Sequence, residues 1–206
     1  ALKLNIELND KKGISMAYMN LGSVWSKLNK YDISLQYFNK GLHTAIENND
    51  DIIVSYCYSH LGNLYNKTNN LNKALLFFNK SLILKKKLKD SFGISQIYSR
   101  ISNIYSKQNN SDKAIFFANK ALEISDINNL FSSKREALQN LSLAYETAEN
   151  YKEALKYFKL FTEINDSILN NDIKEKIAKM EMDYDFEKKE KEINLLNEKN
   201  KSQELT

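Results

Sequence analysis

The chain has 206 residues, 42% of them hydrophobic and 27% charged, with no Pro, five Gly and one Cys. This balance excludes a disordered polymer, a single Cys excludes an internal disulfide, and no window approaches the ~18 apolar residues of a membrane span. The formal net charge is +4 with Lys and Glu interspersed over most of the length, so the charge reads as a solvated surface and not as a nucleic-acid footprint. Without Pro and with so few Gly, hairpins and sharp loops lack their usual residues, and a mostly helical fold follows. Asn supplies the turns, because it tolerates the left-handed backbone region better than most non-Gly residues.

Residues 1–10 (ALKLNIELND) align with 41–50, 81–90 and 121–130. They are expected to be the last turns of a helix whose partner precedes them in a longer chain. A first helix pair is expected over 11–48, with Tyr18, Leu21, Gly22 and Trp25 on one helix and Leu35, Phe38 and Leu42 on the other. A second pair, over 51–88, shows the pattern most clearly. Leu61, Leu64 and Tyr65 share a face with Gly62 as a bare patch among them, Asn69-Asn70 breaks the pattern, and Ala74, Leu75, Phe78 and Leu82 resume it at helical spacing. A third pair is expected over 91–128 and a fourth over 131–168.

The pairs are in phase. Leu21-Gly22, Leu61-Gly62, Ile101-Ser102 and Leu141-Ser142 are each forty residues apart. So are Trp25, Tyr65, Tyr105 and Tyr145, then Ser34, Ala74, Ala114 and Ala154, then Phe38, Phe78, Ala118 and Phe158. Four phased copies of a helix pair specify an array. One such pair cannot bury both of its apolar faces, so each copy needs its neighbour. Within the copies, Asn29, Asn69, Asn109 and Glu149 suit the left-handed C′ position, and Asn70, Asn110 and Asn150 suit the next N-cap. Longer breaks are expected between copies, at 48–51, 89–91 and 128–129.

Residues 171–206 lack turn signals and are dense in Lys and Glu. Ile173, Ile177, Met180 and Tyr184 form a stripe suited to capping the fourth copy. Met182, Phe186, Lys189, Ile193 and Leu196 form a second, offset stripe. One long helix is expected, capping the array and then starting a coiled coil through which the chain could form a homodimer. A frayed, charged tail is the alternative.

These residues resemble the tetratricopeptide repeat (TPR), whose first helix carries a large aromatic, Leu-Gly and Tyr, and whose second carries Ala, an aromatic and Ala. Tyr58, Leu61, Gly62, Tyr65, Ala74 and Phe78 match it, with Ser81 for the last Ala. The other copies depart at Ser34, Gly41, Ser102, Ala118, Ser142 and Phe161. The closing Pro is missing, and the step is forty residues instead of the usual 34. The resemblance implies an all-α, right-handed α-solenoid with a long C-terminal helix, binding a peptide or protein in a concave groove lined by the first helices. The implied groove residues are Asn20, Tyr56, His60, Asn63, Arg100, Asn103 and Asn140. Asn pairs with a peptide backbone through both a donor and an acceptor, and Arg100 with a carboxylate. The groove rows hold no Lys, which argues against the dicarboxylate clamp of co-chaperone TPRs.

No phosphate loop, dinucleotide fingerprint or kinase motif is present, so no catalytic role and no cofactor are expected. Cys57 and His60 stand three apart on one helix, but Cys57 aligns with Ala17, Ile97 and Ala137, so a packed Cys is expected there and no metal. The tail from Met180 to Asn200 resembles the linker of bacterial membrane-anchored TPR sensors, which precedes a membrane span and a histidine kinase or DNA-binding output domain. That resemblance implies the sensory region of a bacterial signalling protein, on the periplasmic side of the membrane. The alternative is a soluble cytoplasmic adaptor or peptide receptor. No nucleic-acid partner is expected in this fragment, and membrane attachment only through segments outside it.

Overall fold

The computed structural model describes residues 2–166 and 189–194. The expected capping and coiled-coil helix lies outside the described residues, apart from 189–194, which are helical. The chain divides into two units, Ala1–Phe161 and Thr162–Thr206. In the first, a short α1 (Leu2–Glu7) is followed by α2 (Lys11–Lys27), α3 (Tyr31–Glu47), α4 (Asp51–Lys67), α5 (Leu71–Lys87), α6 (Ser91–Lys107), α7 (Ser111–Ile127) and α8 (Phe131–Thr147). A ninth helix, α9, begins at 151 and runs to 166. The described residues contain no strand, and the expected solenoid of helix pairs is the fold observed.

One local device makes every turn. The middle residue of each turn has positive φ: Asn9, Asn29, Asn49, Asn69, Lys89, Asn109, Asn129 and Glu149, at 51° to 58°. Around Asn69 the bonds are those of a Schellman end. Asn69 N–H donates to the Asn66 carbonyl at 3.1 Å, and Asn70 N–H to the Tyr65 carbonyl at 2.8 Å. Asn70 then starts the next helix, its side-chain oxygen accepting from Lys73 N–H at 3.3 Å. One residue thus closes α4 and caps α5. Asp10, Asp50, Asp90 and Asn110 cap their helices the same way.

This corrects one expectation. The breaks between copies are not longer than those within them; all are three residues, joining helices of 17 residues from α2 to α8. The same closing backbone bonds recur in every turn, including those ending at Lys30 and Leu130, which make no side-chain cap, so three residues suffice whichever helices are joined. The forty-residue step is therefore two steps of twenty.

The core lies between copies as much as within them. Ala45 of α3 packs with Ile53, Val54 and Cys57 of α4. Ala74, Phe78 and Leu82 of α5 pack with Ile97, Ile101 and Ile104 of α6. Within a pair, the small positions bring the backbones together. A Cβ on Gly22 would stand 2.5 Å from the Phe38 ring, and one on Gly62 2.6 Å from Phe78. Opposite them, Ser34 Oγ donates to the Gly22 carbonyl at 2.7 Å. In the third copy the donor changes sides, and Ser102 Oγ donates to the Ala114 carbonyl at 2.7 Å. A buried hydroxyl satisfied in this way ties two helices at their closest approach.

Candidate functional site

The first helices of the pairs, α2, α4, α6 and α8, present polar residues that repeat every forty positions. Two cavities open along them. One, of about 340 Å³, is lined by Ser23, Ser26, Lys27, Phe38, His60, Asn63 and Lys67. The other, of about 460 Å³, is lined by Asn103, Glu136, Gln139, Asn140, Leu143, Glu146 and Phe158. Asn66 and Arg100 line both, so the cavities adjoin across α4 and α6.

Five of the seven groove residues expected from the sequence line these cavities. Arg100 is held by Asn63, its Nη1 donating to Asn63 Oδ1 at 2.7 Å. His60 stacks on Phe38 with ring centroids 5.2 Å apart. Burial lowers its pKa, and the nearby charges of Arg100 and Lys85 lower it further, so the ring is neutral at pH 7 and offers one donor and one acceptor. Asn103 is half-buried in the larger cavity. Asn140 is only 8% exposed, and its Nδ2 donates to the Ser99 carbonyl at 3.0 Å. It builds the wall by tying α8 to α6. Beside it, burial raises the Glu136 pKa despite Arg100 and Arg135, whose charges act to lower it.

Asn20 and Tyr56 line neither cavity. Asn20 is exposed on α2. Tyr56 has its ring under Lys85 Nζ, 4.3 Å from the centroid. Lys85 is 3% exposed and pairs with Asp90 at 2.8 Å. Burial alone would raise the Asp90 pKa, but the hydrogen bonds from Lys85 and from Gly93 N–H outweigh it and hold the carboxyl below its ordinary value. Cys57 lies wholly in the core, where burial pushes its thiol up to about 12.

The sequence reading missed a row. Lys27, Lys67 and Lys107 are the last residues of α2, α4 and α6. Lys27 and Lys67 line the smaller cavity. Lys67 Nζ donates to Ser26 Oγ at 3.4 Å, and Lys107 Nζ to Asn66 Oδ1 at 2.9 Å, each reaching back one copy. Their forty-residue spacing was visible, but they lie one turn beyond the rows considered. The row ends at Thr147. Ser106, which stands where Ser26 and Asn66 do, has a buried hydroxyl without a hydrogen-bond partner among the described residues.

A family model of the tetratricopeptide repeat matches residues 55–87, 95–128 and 136–167. The chain is a tetratricopeptide-repeat protein. Its TPR pairs superpose on solved structures. One is a Signal Transduction ATPase with Numerous Domains protein from Pyrococcus horikoshii with a tetratricopeptide repeat sensor, at 18% identity and TM-score 0.71, covering 78% of this chain and 25% of that one. The apo form of RapI follows at 22% identity and TM-score 0.70, covering 78% and 58%. A Rap protein complexed with Competence and Sporulation Factor gives 14% identity and TM-score 0.68, covering 74% and 43%. The TPR chain thus spans a quarter to under two-thirds of the length of these structures, and the likeness is one of fold. No curated protein matches it in sequence. Among the described residues no helix is long and apolar enough to cross a membrane.

Proposed function

We propose that this TPR array is a non-catalytic module that binds an extended peptide or protein segment along α2, α4, α6 and α8. The observation that carries this reading is the pair of adjoining cavities lined by Asn63, Asn66, Arg100 and Asn103. These groups offer donors and acceptors from several stacked copies along one path. An extended backbone presents its own donors and acceptors at intervals, so amide side chains on successive repeats meet it without reading its side chains.

The finer reading is that the module is the sensory region of a bacterial signal-transduction protein with a histidine kinase or transcriptional-regulator output. The tetratricopeptide repeat sensor of the Pyrococcus horikoshii protein and the Rap protein complexed with its factor support it by analogy. A segment bridging α4, α6 and α8 favours one stagger of those repeats over others, and differential affinity of that kind is what shifts a conformational equilibrium. A homodimer through the C-terminal residues would then carry the shift to the output.

Titrating peptides against the wild type and Asn63→Ala/Asn103→Ala tests the site. Losing two backbone-directed amides is expected to weaken binding by roughly tenfold or more. Equal affinity for both proteins contradicts the groove assignment.

A further inference from the structure

The groove separates its charges along its length. Among the described residues, Lys11, Lys85, Lys87, Lys120, Lys134 and Lys156 each stand within 4 Å of a carboxylate. The groove cations are held differently. Lys67 leans on the Ser26 hydroxyl and Lys107 on the Asn66 amide oxygen, while Arg100, held by Asn63, marks the boundary, because its charge also acts on Glu136. A neutral acceptor fixes a cation in position without cancelling its charge, so the site is ordered before an anion arrives. The α8 end is the opposite in chemistry. Its cavity is lined by Glu136 and Glu146, with Leu143 and Phe158 as apolar surface. Leu143 is 40% and Phe158 51% exposed.

We propose that the groove selects a protein segment built in two blocks, with acidic side chains over the Lys27, Lys67 and Lys107 column and apolar side chains against Leu143 and Phe158. This rests on the peptide-binding reading above and names its ligand class. The charge column attracts carboxylates and steers their approach. The apolar end gains from burying hydrocarbon that Leu143 and Phe158 now leave exposed. A nucleic-acid strand fits less well, because its phosphates continue along the whole groove and meet Glu136 and Glu146.

The test uses fluorescein-labelled dodecapeptides read by anisotropy at two salt concentrations. The first has four Glu in one half and three Leu in the other. The second replaces Glu by Gln. The third interleaves the same Glu and Leu evenly. A labelled oligothymidylate is the fourth probe. The proteins are the wild type, Lys67→Gln/Lys107→Gln and Lys67→Glu/Lys107→Glu, each checked for helicity by circular dichroism.

The blocked Glu peptide is expected to bind about tenfold more tightly than its Gln counterpart, with the advantage shrinking at high salt. It is expected to bind several-fold more tightly than the interleaved peptide. The Gln variant should lose most of the Glu preference and the Glu variant all of it. If the Gln peptide binds wild type as well as the Glu peptide, or charge reversal changes nothing, the ligand class is overturned while peptide binding stands. If blocked and interleaved peptides bind alike, the two-block arrangement is overturned. If no peptide binds, the peptide-binding reading itself fails, and oligothymidylate binding that the Glu variant abolishes would assign the column to nucleic acid.

Discussion

The second and fourth helix pairs share a pattern, and the places where they differ show how an array turns core into surface. Both stack an aromatic pair at the end of the first helix: Tyr65 on Phe77 at 5.4 Å and Tyr145 on Tyr157 at 5.4 Å. Both approach closely through small residues, Gly62 with Ala74 in one and Ser142 with Ala154 in the other. In the second pair Phe78 lies over Gly62 and is fully buried. In the fourth, Ser142 has the Cβ that Gly62 lacks, and its hydroxyl donates to the Ala154 carbonyl at 3.0 Å. Phe158 is half exposed and lines the larger cavity beside Ser142 and Leu143. The third pair resolves the same conflict differently, combining Ser102 with Ala118, both buried. The second pair thus joins Gly62 to a Phe that is buried and packed against Ile97 and Ile101 of the next copy, and the fourth joins Ser142 to a Phe that is half exposed.

The other small contact differs in the same sense. Ser81 Oγ donates to the Ser55 carbonyl at 2.8 Å, and Ser95 Oγ to the Ala121 carbonyl at 2.9 Å. The fourth pair has Arg135 and Phe161 at these positions. Neither Arg135 nor Phe161 carries a hydroxyl, so the bond that Ser81 and Ser95 make has no counterpart at these positions of the fourth pair.

The most forceful way to break this comparison is to truncate each Phe. Phe78→Ala removes a fully buried ring and is expected to cost about 3–5 kcal/mol. Phe158→Ala should cost under about 1 kcal/mol, since half its surface already meets solvent. Urea denaturation of the two variants measures both, and equal costs would refute the core-versus-groove distinction.

A Cβ at the tight position is the next test. Gly62→Ala drives a methyl into the Phe78 ring, and overpacking of this kind costs about 1–3 kcal/mol. Ser142→Ala has no ring to displace and loses one hydroxyl bond, about 0.5–1.5 kcal/mol. Thermal unfolding should rank them in that order.

A third prediction sharpens the electrostatics. Folding lowers the His60 pKa, mainly by burial. Below about pH 6.5 the unfolded chain takes up a proton at this His that the folded chain refuses, so the unfolded state is favoured as pH falls. Stability should therefore drop as pH falls from 7 through 6.5 towards the folded pKa of His60. His60→Gln should flatten that part of the profile, and an unchanged slope would contradict the burial argument. The smallest expected effect is at a turn. Lys89 holds φ at 55°, where six of the other seven turns have Asn. Lys89→Asn should stabilise by about 0.5 kcal/mol, read as a melting temperature raised by about 1–2 °C.

Much of this was legible in the sequence because it depends on periodicity. The phase of Leu61-Gly62, Tyr65, Ala74 and Phe78 identified the fold, and Asn29, Asn69 and Asn109 announced the left-handed turn residues. The uniform turns were not legible, because nothing in the residue types at Lys89-Asp90 says that one residue both closes and caps. For the proposed groove, the TPR resemblance pointed to His60, Asn63, Arg100 and Asn103, and all four line the two cavities. It could not show that Asn140 satisfies the Ser99 carbonyl or that Tyr56 covers Lys85, since both depend on how neighbouring copies stack. The Lys27, Lys67 and Lys107 row escaped because a Lys at the end of a helix usually serves the helix dipole, and only the three-dimensional structure shows Lys27 and Lys67 lining a cavity and Lys107 reaching Asn66 at its edge.

The central claim is that the first helices form the binding wall. Backbone amide chemical shifts, followed by NMR while the blocked Glu–Leu dodecapeptide is added, test it most directly. The account predicts that the largest changes fall on α4 and α6 around Asn63, Asn66, Arg100 and Asn103, extending to Leu143 on α8. Changes centred instead on Leu76 of α5 and Phe116 of α7, with the α4 and α6 amides unmoved, would contradict it.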